Sequence, residues 1–157
     1  MRTRAARSPG AGWSGGLAAA ILNAMETSRL VRVVVADDHP LYRDVLVRAV
    51  TAAPELELVG EAGDGAEAER LIEALRPAVA LLDVKMPVLG GVELCERLVA
   101  RTSTTRVVMI SAYRDPRLVG RALRAGAAAF LPKDASLEEM CETVVRVGRG
   151  VVAAEVP

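Results

Sequence analysis

Short apolar segments alternate with longer amphipathic segments along most of the chain. The apolar segments are rich in β-branched and aliphatic side chains and are bounded by polar residues, which is typical of buried strands. We predict five such strands: Val31–Ala36, Leu56–Val59, Ala78–Leu82, Arg106–Ile110 and Ala127–Leu131. Their last residues lie roughly 20 to 30 positions apart, which leaves room for one helix between successive strands.

The segments between these strands carry apolar residues at helical spacing. Asp115 and Pro116 suit the start of a helix, and Gly126 suits its end. Ser136 and Glu139 form a capping box before another apolar helical pattern. Strands that alternate with helices at this spacing form βαβ units with right-handed crossovers. The pattern therefore predicts a single α/β domain over residues 30–150, a doubly wound, five-stranded parallel sheet with helices on both faces.

The two ends of the chain lie outside this alternating pattern. Residues 1–28 combine arginine with many glycine, alanine and serine residues, and we expect a disordered or artefactual leader rather than a targeting signal. Gly10, Gly12 and Gly15 match a dinucleotide-binding fingerprint, but no strand precedes them, and the phosphate-binding turn requires one. Residues 151–157 are expected to be a tail or the start of a linker.

Composition excludes several classes of function. Hydrophobic residues make up 52% of the 157 residues, enough for a buried core, and 20 basic residues balance 20 acidic residues. One Trp, two Tyr and one Phe are too few for a surface that stacks on nucleic-acid bases. Cys95 and Cys141 lie in apolar helical patterns and indicate reduced thiols of a cytoplasmic protein. No apolar run reaches the roughly 20 residues of a membrane span, so no membrane association is expected.

Polar residues follow four of the five predicted strands. Asp37 and Asp38 follow the first strand, and Asp83 follows the third. Ser111 follows the fourth strand and Lys133 the fifth. Because ligands of a doubly wound sheet bind beyond the carboxyl ends of its strands, we expect these side chains to converge.

This set of residues suits a metal-dependent phosphoryl transfer. Clustered carboxylates repel one another and resist ionisation unless a cation lies among them, and oxygen ligands of this kind suit Mg²⁺. Lys133 and Ser111 offer a positive charge and a hydroxyl to a transferring phosphoryl group, which leaves Asp83 as the candidate nucleophile. Asp37 and Asp38 also suit a helix N-terminus, and Asp83 also suits a turn.

The order of these motifs resembles that of the receiver domain of two-component response regulators, over roughly residues 30–150. The shared motifs are Asp37-Asp38, Asp83-x-x-Met86-Pro87-x-x-Gly90-Gly91, Ser111-Ala112 and Phe130-Leu131-Pro132-Lys133. The local sequences Ala36-Asp37-Asp38-His39-Pro40 and Pro132-Lys133-Asp134-Ala135 are similar to those of the NarL/FixJ subfamily, whose members usually carry a C-terminal helix-turn-helix. The resemblance implies a flavodoxin-like sheet with the strand order 2-1-3-4-5.

The resemblance implies an acceptor and a set of metal ligands. Asp83 would accept the phosphoryl group from a phosphohistidine on a sensor histidine kinase. Asp38 would bind Mg²⁺ directly and Asp37 through water. Asp83 and the backbone carbonyl of Lys85 would complete the protein ligands.

It also implies the residues of the switch. Ser111 would move towards the phosphoryl group, and the rotamer of Phe130 would follow Ser111. Lys133 would contact the phosphoryl group. For His39, the single histidine, we expect local hydrogen bonding rather than a metal-binding or phosphorelay role.

Two charged helix faces allow two interpretations. Arginines at helical spacing follow the fourth strand, and glutamates lie in the last helix: Arg114, Arg117, Arg121 and Arg124, and Glu138, Glu139 and Glu142. They are either solvated surfaces or, as a hypothesis, the two halves of a homodimer interface formed on phosphorylation.

Two interpretations of the output also stay open. The chain is the regulatory part of a NarL/FixJ-type transcriptional regulator without its DNA-binding domain, or it is a stand-alone receiver that acts through protein contacts. In both, we expect no specific DNA binding by this chain alone. We expect a signalling module rather than an enzyme, with Mg²⁺-dependent phosphorylation and dephosphorylation of Asp83 as its only chemistry. A phosphate-ester hydrolase is the alternative, although no acid–base partner is evident beside Asp83.

Overall fold

The computed structural model describes residues 15–151, except for the side chains of residues 26–28. These residues fall into two units, which divide between Leu30 and Val31. The first unit contains helix α1 (Leu17–Arg29). The second contains the strands β1 (Val31–Ala36), β2 (Leu56–Ala62), β3 (Val79–Asp83), β4 (Arg106–Ser111) and β5 (Ala129–Pro132), and the helices α2 (Pro40–Ala52), α3 (Gly65–Leu75), α4 (Gly91–Ala100), α5 (Pro116–Arg124) and α6 (Leu137–Gly148).

The sheet has the expected topology. All neighbouring strands are parallel, and the strand order is β2-β1-β3-β4-β5. The chain passes from β1 outwards to β2 and then returns to β3 on the other side of β1. The loops after β1 and β3 therefore diverge, which opens a crevice at the carboxyl ends of these two strands.

Alternate residues of each strand pack on opposite faces of the sheet. In β1, Val33 and Val35 belong to a core cluster shared with α2 and α6, whereas Val34 and Ala36 belong to a second cluster shared with α3, α4 and α5. All four side chains are fully buried. Burial on both faces explains why the strands are continuously apolar, as is usual in a parallel sheet covered by helices.

The helix ends agree with the sequence signals. Asp115 accepts a hydrogen bond from the amide of Arg117, and Ser136 accepts one from the amide of Glu139. Gly126 has a φ of 107°, the left-handed conformation that suits a helix C-terminus. Strand β1 has the predicted ends, and the ends of the other strands differ from the predicted ones by at most three residues, the largest difference being the continuation of β2 to Ala62.

One helix lies in the segment before the domain. Within the leader that we expect to be disordered or artefactual, Leu17–Arg29 form helix α1. Its sequence contains several alanines and leucines, which favour a helix, and no glycine, which would oppose one. Residues 1–14 and 152–157 lie outside the described residues. No helix in the described part of the chain has the length and hydropathy needed to cross a bilayer.

Close packing at Gly91 predicts a specific loss of stability. A Cβ atom at this position would lie 2.5 Å from the carbonyl oxygen of Asp83 and 3.1 Å from the Cα of Val84, both backbone atoms that cannot move freely. We expect Gly91→Ala to lower the free energy of unfolding by about 1–3 kcal/mol, measured by chemical denaturation.

Gly120→Ala is the matched control, because the added Cβ would meet only the guanidinium end of Arg124 at 3.2 Å. We expect that variant to be neutral or more stable by up to about 1 kcal/mol, since alanine favours helix over glycine. Equal stability of the two variants would contradict the packing argument.

Candidate functional site

The carboxyl ends of the central strands bring the predicted residues together. Asp37 and Asp38 directly follow β1, and Asp83 is the last residue of β3. Lys133 directly follows β5, and its Nζ lies 2.8 Å from Asp37 Oδ2 and 3.2 Å from Asp83 Oδ2. The prediction that these side chains converge is confirmed for these residues.

The acidic residues form one group with a histidine. One ligand atom from each of Asp37, Asp38, His39 and Asp83 lies within 4.8 Å of the others. Asp37 and Asp83 are buried, whereas Asp38 is partly and His39 largely open to solvent. The cluster is therefore a crevice with two carboxylates at its base.

Two oxygens in this crevice lack ordinary hydrogen bonds. Among the residues that the structure describes, none donates a well-oriented hydrogen bond to the buried atoms Asp37 Oδ2 and Asp38 Oδ1. Their short contacts are with nitrogen atoms: Asp37 Oδ2 lies 2.8 Å from Lys133 Nζ, and Asp38 Oδ1 lies 3.1 Å from His39 Nδ1. Buried oxygens left in this state suit a bound cation.

Burial and the neighbouring Asp37 act on the pKa of Asp83 in one direction, and Lys133 acts in the other. Burial, followed by the negative charge of Asp37, raises the pKa of Asp83 from its ordinary value of 3.8 to about 6, although Lys133 lowers it. Burial alone would lower the pKa of Lys133, but its bonds and charge interactions with Asp37 and Asp83 raise it. Lys133 is therefore a cation, and it offsets only part of the repulsion between the carboxylates.

Tyr42, which no sequence motif singles out, supports Lys133. The ammonium of Lys133 lies 4.5 Å from the centre of the Tyr42 ring, and the Tyr42 hydroxyl donates a hydrogen bond of 3.4 Å to the Lys133 carbonyl. Burial and the charges of Asp37 and Asp83 raise the pKa of Tyr42 to about 12. Its position one helical turn beyond Asp38 was the available signal.

Ser111 and Phe130 lie beside the crevice and are buried. The Ser111 hydroxyl accepts a hydrogen bond of 3.0 Å from the amide of Tyr113. The backbone carbonyl of Ser111 accepts one of 2.8 Å from the amide of Lys133. Phe130 lines a cleft of about 680 Å³ between α5 and the start of α6. The structure thus connects the position of Ser111 to Lys133, and Phe130 to an exposed cleft.

Lys85 lies on the rim of the crevice. Its amide donates a hydrogen bond of 3.4 Å to Asp83 Oδ1. Its ammonium stacks over the ring of Tyr113 at 3.9 Å, which brings the loops after β3 and β4 together. The Lys85 carbonyl as a metal ligand stays a prediction.

The donor set fits Mg²⁺. The carboxylates of Asp37, Asp38 and Asp83 supply the oxygen ligands that this ion prefers, and the partly open crevice leaves room for the waters that it retains. A cation at this position would also relieve the repulsion that Lys133 offsets only in part.

Comparison with known proteins agrees with this geometry. The family model described as "Response regulator receiver domain" matches residues 33–145. The probable transcriptional regulatory protein NarL of Mycobacterium tuberculosis is 46% identical over 125 residues, which cover 78% of this chain and 58% of that protein. The DNA-binding transcriptional activator DevR/DosR of the same organism is 40% identical over 121 residues, covering 77% and 56%.

Solved structures show the same fold. The signal receiver domain of the putative response regulator NarL from M. tuberculosis superposes with a TM-score of 0.76 at 44% identity, covering 78% of this chain and 98% of that one. A DNA-binding response regulator of the LuxR family from Staphylococcus aureus gives 0.73 at 25% identity, covering 76% and 99%. The chain spans somewhat more than half the length of the curated relatives it matches.

The raised pKa of Asp83 predicts a pH-dependent effect on stability. Between about pH 4 and 6 the folded chain binds more protons at Asp83 than the unfolded chain, so stability falls as the pH rises through this window. Above about pH 6, Asp83 is ionised and repels Asp37, so Asp83→Asn should stabilise the metal-free protein. We expect a gain of about 1–2 kcal/mol in the free energy of unfolding, a value reduced for solvent screening.

Thermal unfolding in the presence of a chelator measures this difference at pH 7.5 and at pH 4. We expect the advantage of Asp83→Asn to shrink as the pH falls, because protonated Asp83 no longer repels Asp37. Asp44→Asn, on an exposed face of α2, is the control. An advantage of Asp83→Asn that is the same at both pH values would contradict the assignment of repulsion.

Proposed function

Because the chain belongs to the response regulator receiver family, whose general role is that of a phosphorylation switch in two-component signalling, we propose that Asp83 accepts a phosphoryl group from a phosphohistidine of a sensor histidine kinase. A carboxylate oxygen of Asp83 attacks phosphorus, the phosphorus–nitrogen bond breaks, and the leaving imidazole takes up a proton. The observation that carries the proposal is the Lys133 ammonium, held 3.2 Å from Asp83 and 2.8 Å from Asp37. It lies where negative charge of the phosphoryl oxygens needs a partner.

Asp37, Asp38 and Asp83, with the carbonyl of Lys85, are the proposed ligands of Mg²⁺. When bound, this ion supplies positive charge that screens the carboxylates and stabilises the phosphoryl oxygens. The chain itself orients the reacting carboxylate, because the Lys85 amide and the Lys133 ammonium contact different oxygens of Asp83. We therefore assign catalysis to this one self-modification and regard the protein as a signalling module rather than an enzyme.

The proposed response to phosphorylation runs through Ser111 and Phe130. A phosphoryl group on Asp83 offers acceptors that compete with the present bond between the Ser111 hydroxyl and the Tyr113 amide. Movement of Ser111 would alter the space available to Phe130, which lines the cleft between α5 and α6. The signal would reach the surface at that cleft.

For the output, we favour the regulatory part of a NarL-type transcriptional regulator that acts in the cytoplasm. The support is the coverage of the curated relatives, which are transcriptional regulators matched over somewhat more than half of their length. A stand-alone receiver that acts through protein contacts is the alternative. In neither form do we expect this chain alone to bind DNA specifically.

We also propose that the phosphorylated chain forms a homodimer through α5 and α6. Within the part of the chain that the structure describes, the exposed side chains of Arg117, Arg121 and Arg124 form no ion pair. The exposed glutamates of α6, Glu138 and Glu142, form none either. A two-fold axis would place these complementary charges opposite each other.

Phosphorylation is tested with a small phosphodonor and intact-protein mass spectrometry. We expect wild type to gain one phosphoryl group in the presence of Mg²⁺ and none with a chelator, and Asp83→Asn to gain none, because it lacks the nucleophile. Asp44→Asn, with its exposed carboxylate changed, should react like wild type. Equal reaction of Asp83→Asn and wild type would refute the acceptor assignment.

The dimer is tested by sedimentation velocity with and without beryllium fluoride, a phosphoryl mimic. We expect Arg117→Glu combined with Arg121→Glu to reduce self-association, because like charges would then face each other. Adding Glu138→Arg and Glu142→Arg should restore it. Arg70→Glu, on an exposed face of α3, is the control. Unchanged association of the first variant would eliminate this interface.

A further inference from the structure

His39 contributes a nitrogen atom to a pocket otherwise made of oxygen ligands. It is the single histidine of the chain. Its Nδ1 lies 3.1 Å from Asp38 Oδ1, 3.2 Å from Asp37 Oδ1 and 3.8 Å from Asp83 Oδ2. The rest of the side chain is open to solvent, being 67% exposed overall. One ring nitrogen is thus directed into the carboxylates while the ring remains accessible.

The backbone holds the imidazole in this place. The amide of His39 donates a hydrogen bond of 2.8 Å to Asp37 Oδ1, which closes a tight turn after β1. His39 then takes the N-cap position of α2, with Pro40 following, but its side chain forms no capping hydrogen bond. The imidazole is therefore not used to cap the helix and points into the pocket instead. The backbone amide and carbonyl of His39 are both hydrogen-bonded, to Asp37 and Arg43 respectively.

The surroundings of Nδ1 are those of a metal ligand. Besides the three carboxylates, the Lys133 ammonium lies 3.4 Å from Nδ1, so this nitrogen already faces a positive charge. The ligand atoms of all four residues lie within 4.8 Å of one another. The two buried oxygens without well-oriented hydrogen bonds among the described residues, Asp37 Oδ2 and Asp38 Oδ1, belong to the same group.

We propose that Nδ1 of His39 is a ligand of the metal ion in this pocket and that it makes the pocket prefer first-row transition ions such as Ni²⁺ and Co²⁺ over Mg²⁺. Mg²⁺ prefers oxygen and gains little from an imidazole, whereas Ni²⁺ binds imidazole well and stands high in the affinity order of divalent ions. The inference rests on the proposed function, since it concerns the same pocket. Its consequence is that transition ions compete with Mg²⁺ for the centre beside Asp83.

Hydrogen bonding alone is the competing explanation for His39. If the imidazole only anchors the loop after β1, its removal changes the affinities for all divalent ions alike. If it is a ligand, its removal weakens the binding of Ni²⁺ and Co²⁺ more than the binding of Mg²⁺. The ratio of the two affinities, rather than either value, separates these explanations.

The experiment measures Mg²⁺ and Ni²⁺ binding by isothermal titration calorimetry on the untagged protein. Loss of the hydrogen bonds of His39 to Asp37 and Asp38 weakens the binding of both ions, but loss of a bond from Nδ1 to the metal weakens only Ni²⁺ binding further. We therefore expect the ratio of Ni²⁺ to Mg²⁺ affinity to fall at least about tenfold in His39→Ala. Leu41→Ala, at an exposed position of the same turn, is the matched control and should leave both affinities unchanged.

A second measurement reads the ligand directly. Because the chain contains one histidine, the ¹⁵N signals of its ring are unambiguous in wild type. A diamagnetic ion of the same preference, Zn²⁺, should shift the signal of Nδ1 far more than that of Nε2, whereas Mg²⁺ should shift both only slightly. This result does not depend on any variant folding correctly.

The outcomes separate this inference from the proposed function. An unchanged Ni²⁺ to Mg²⁺ affinity ratio in His39→Ala, or no selective shift of Nδ1, overturns the role of His39 while the receiver site stands. If wild type binds neither Mg²⁺ nor Ni²⁺, both the inference and the proposed metal site are overturned. A ratio that falls at least about tenfold in His39→Ala alone, with a selective shift of Nδ1, supports the inference.

Discussion

The site depends on one ammonium group placed between two buried carboxylates. Lys133 lies 2.8 Å from Asp37 and 3.2 Å from Asp83, and neither aspartate has appreciable access to water. Without a cation, burial and mutual repulsion would drive these groups towards their neutral forms. Lys133 offsets this cost only in part, because the pKa of Asp83 is still raised to about 6. The residual repulsion makes the crevice a ready binding site for a divalent ion.

The fold explains how these charges meet although they are far apart in sequence. The switch point between β1 and β3 brings Asp37 and Asp83 to one crevice, and the parallel pairing continues through β4 to β5, which ends beside Lys133. Continuous apolar strands and covering helices hold this edge rigid. Gly91, which admits the backbone of Asp83 at close range, packs the following helix against the same edge. Core packing and site geometry are therefore consequences of one topology.

Around the buried pair, three partly exposed groups tune the crevice in different ways. Tyr42 supports Lys133 through its ring and its hydroxyl. Lys85 stacks on Tyr113 at the rim, and His39 turns a nitrogen towards the carboxylates. These three groups lie around the buried pair and set which side chains a bound ion or an incoming phosphoryl group would meet at the rim.

Local sequence patterns are enough to locate the strands to within three residues, the helix caps at Asp115 and Ser136, and the residues that converge at the crevice. Those features depend on local periodicity and on the rule that parallel strands present their carboxyl ends at one edge. The helix at Leu17–Arg29 was not predicted, because the glycines before it give the first residues of the chain a composition typical of disorder. The contacts of Lys133 with Tyr42 and His39, which lie 91 and 94 positions away in the chain, depend on the folded arrangement. The raised pKa of Asp83 depends on it as well. Distances across the sheet and depth of burial set these properties, and neither is encoded in local spacing.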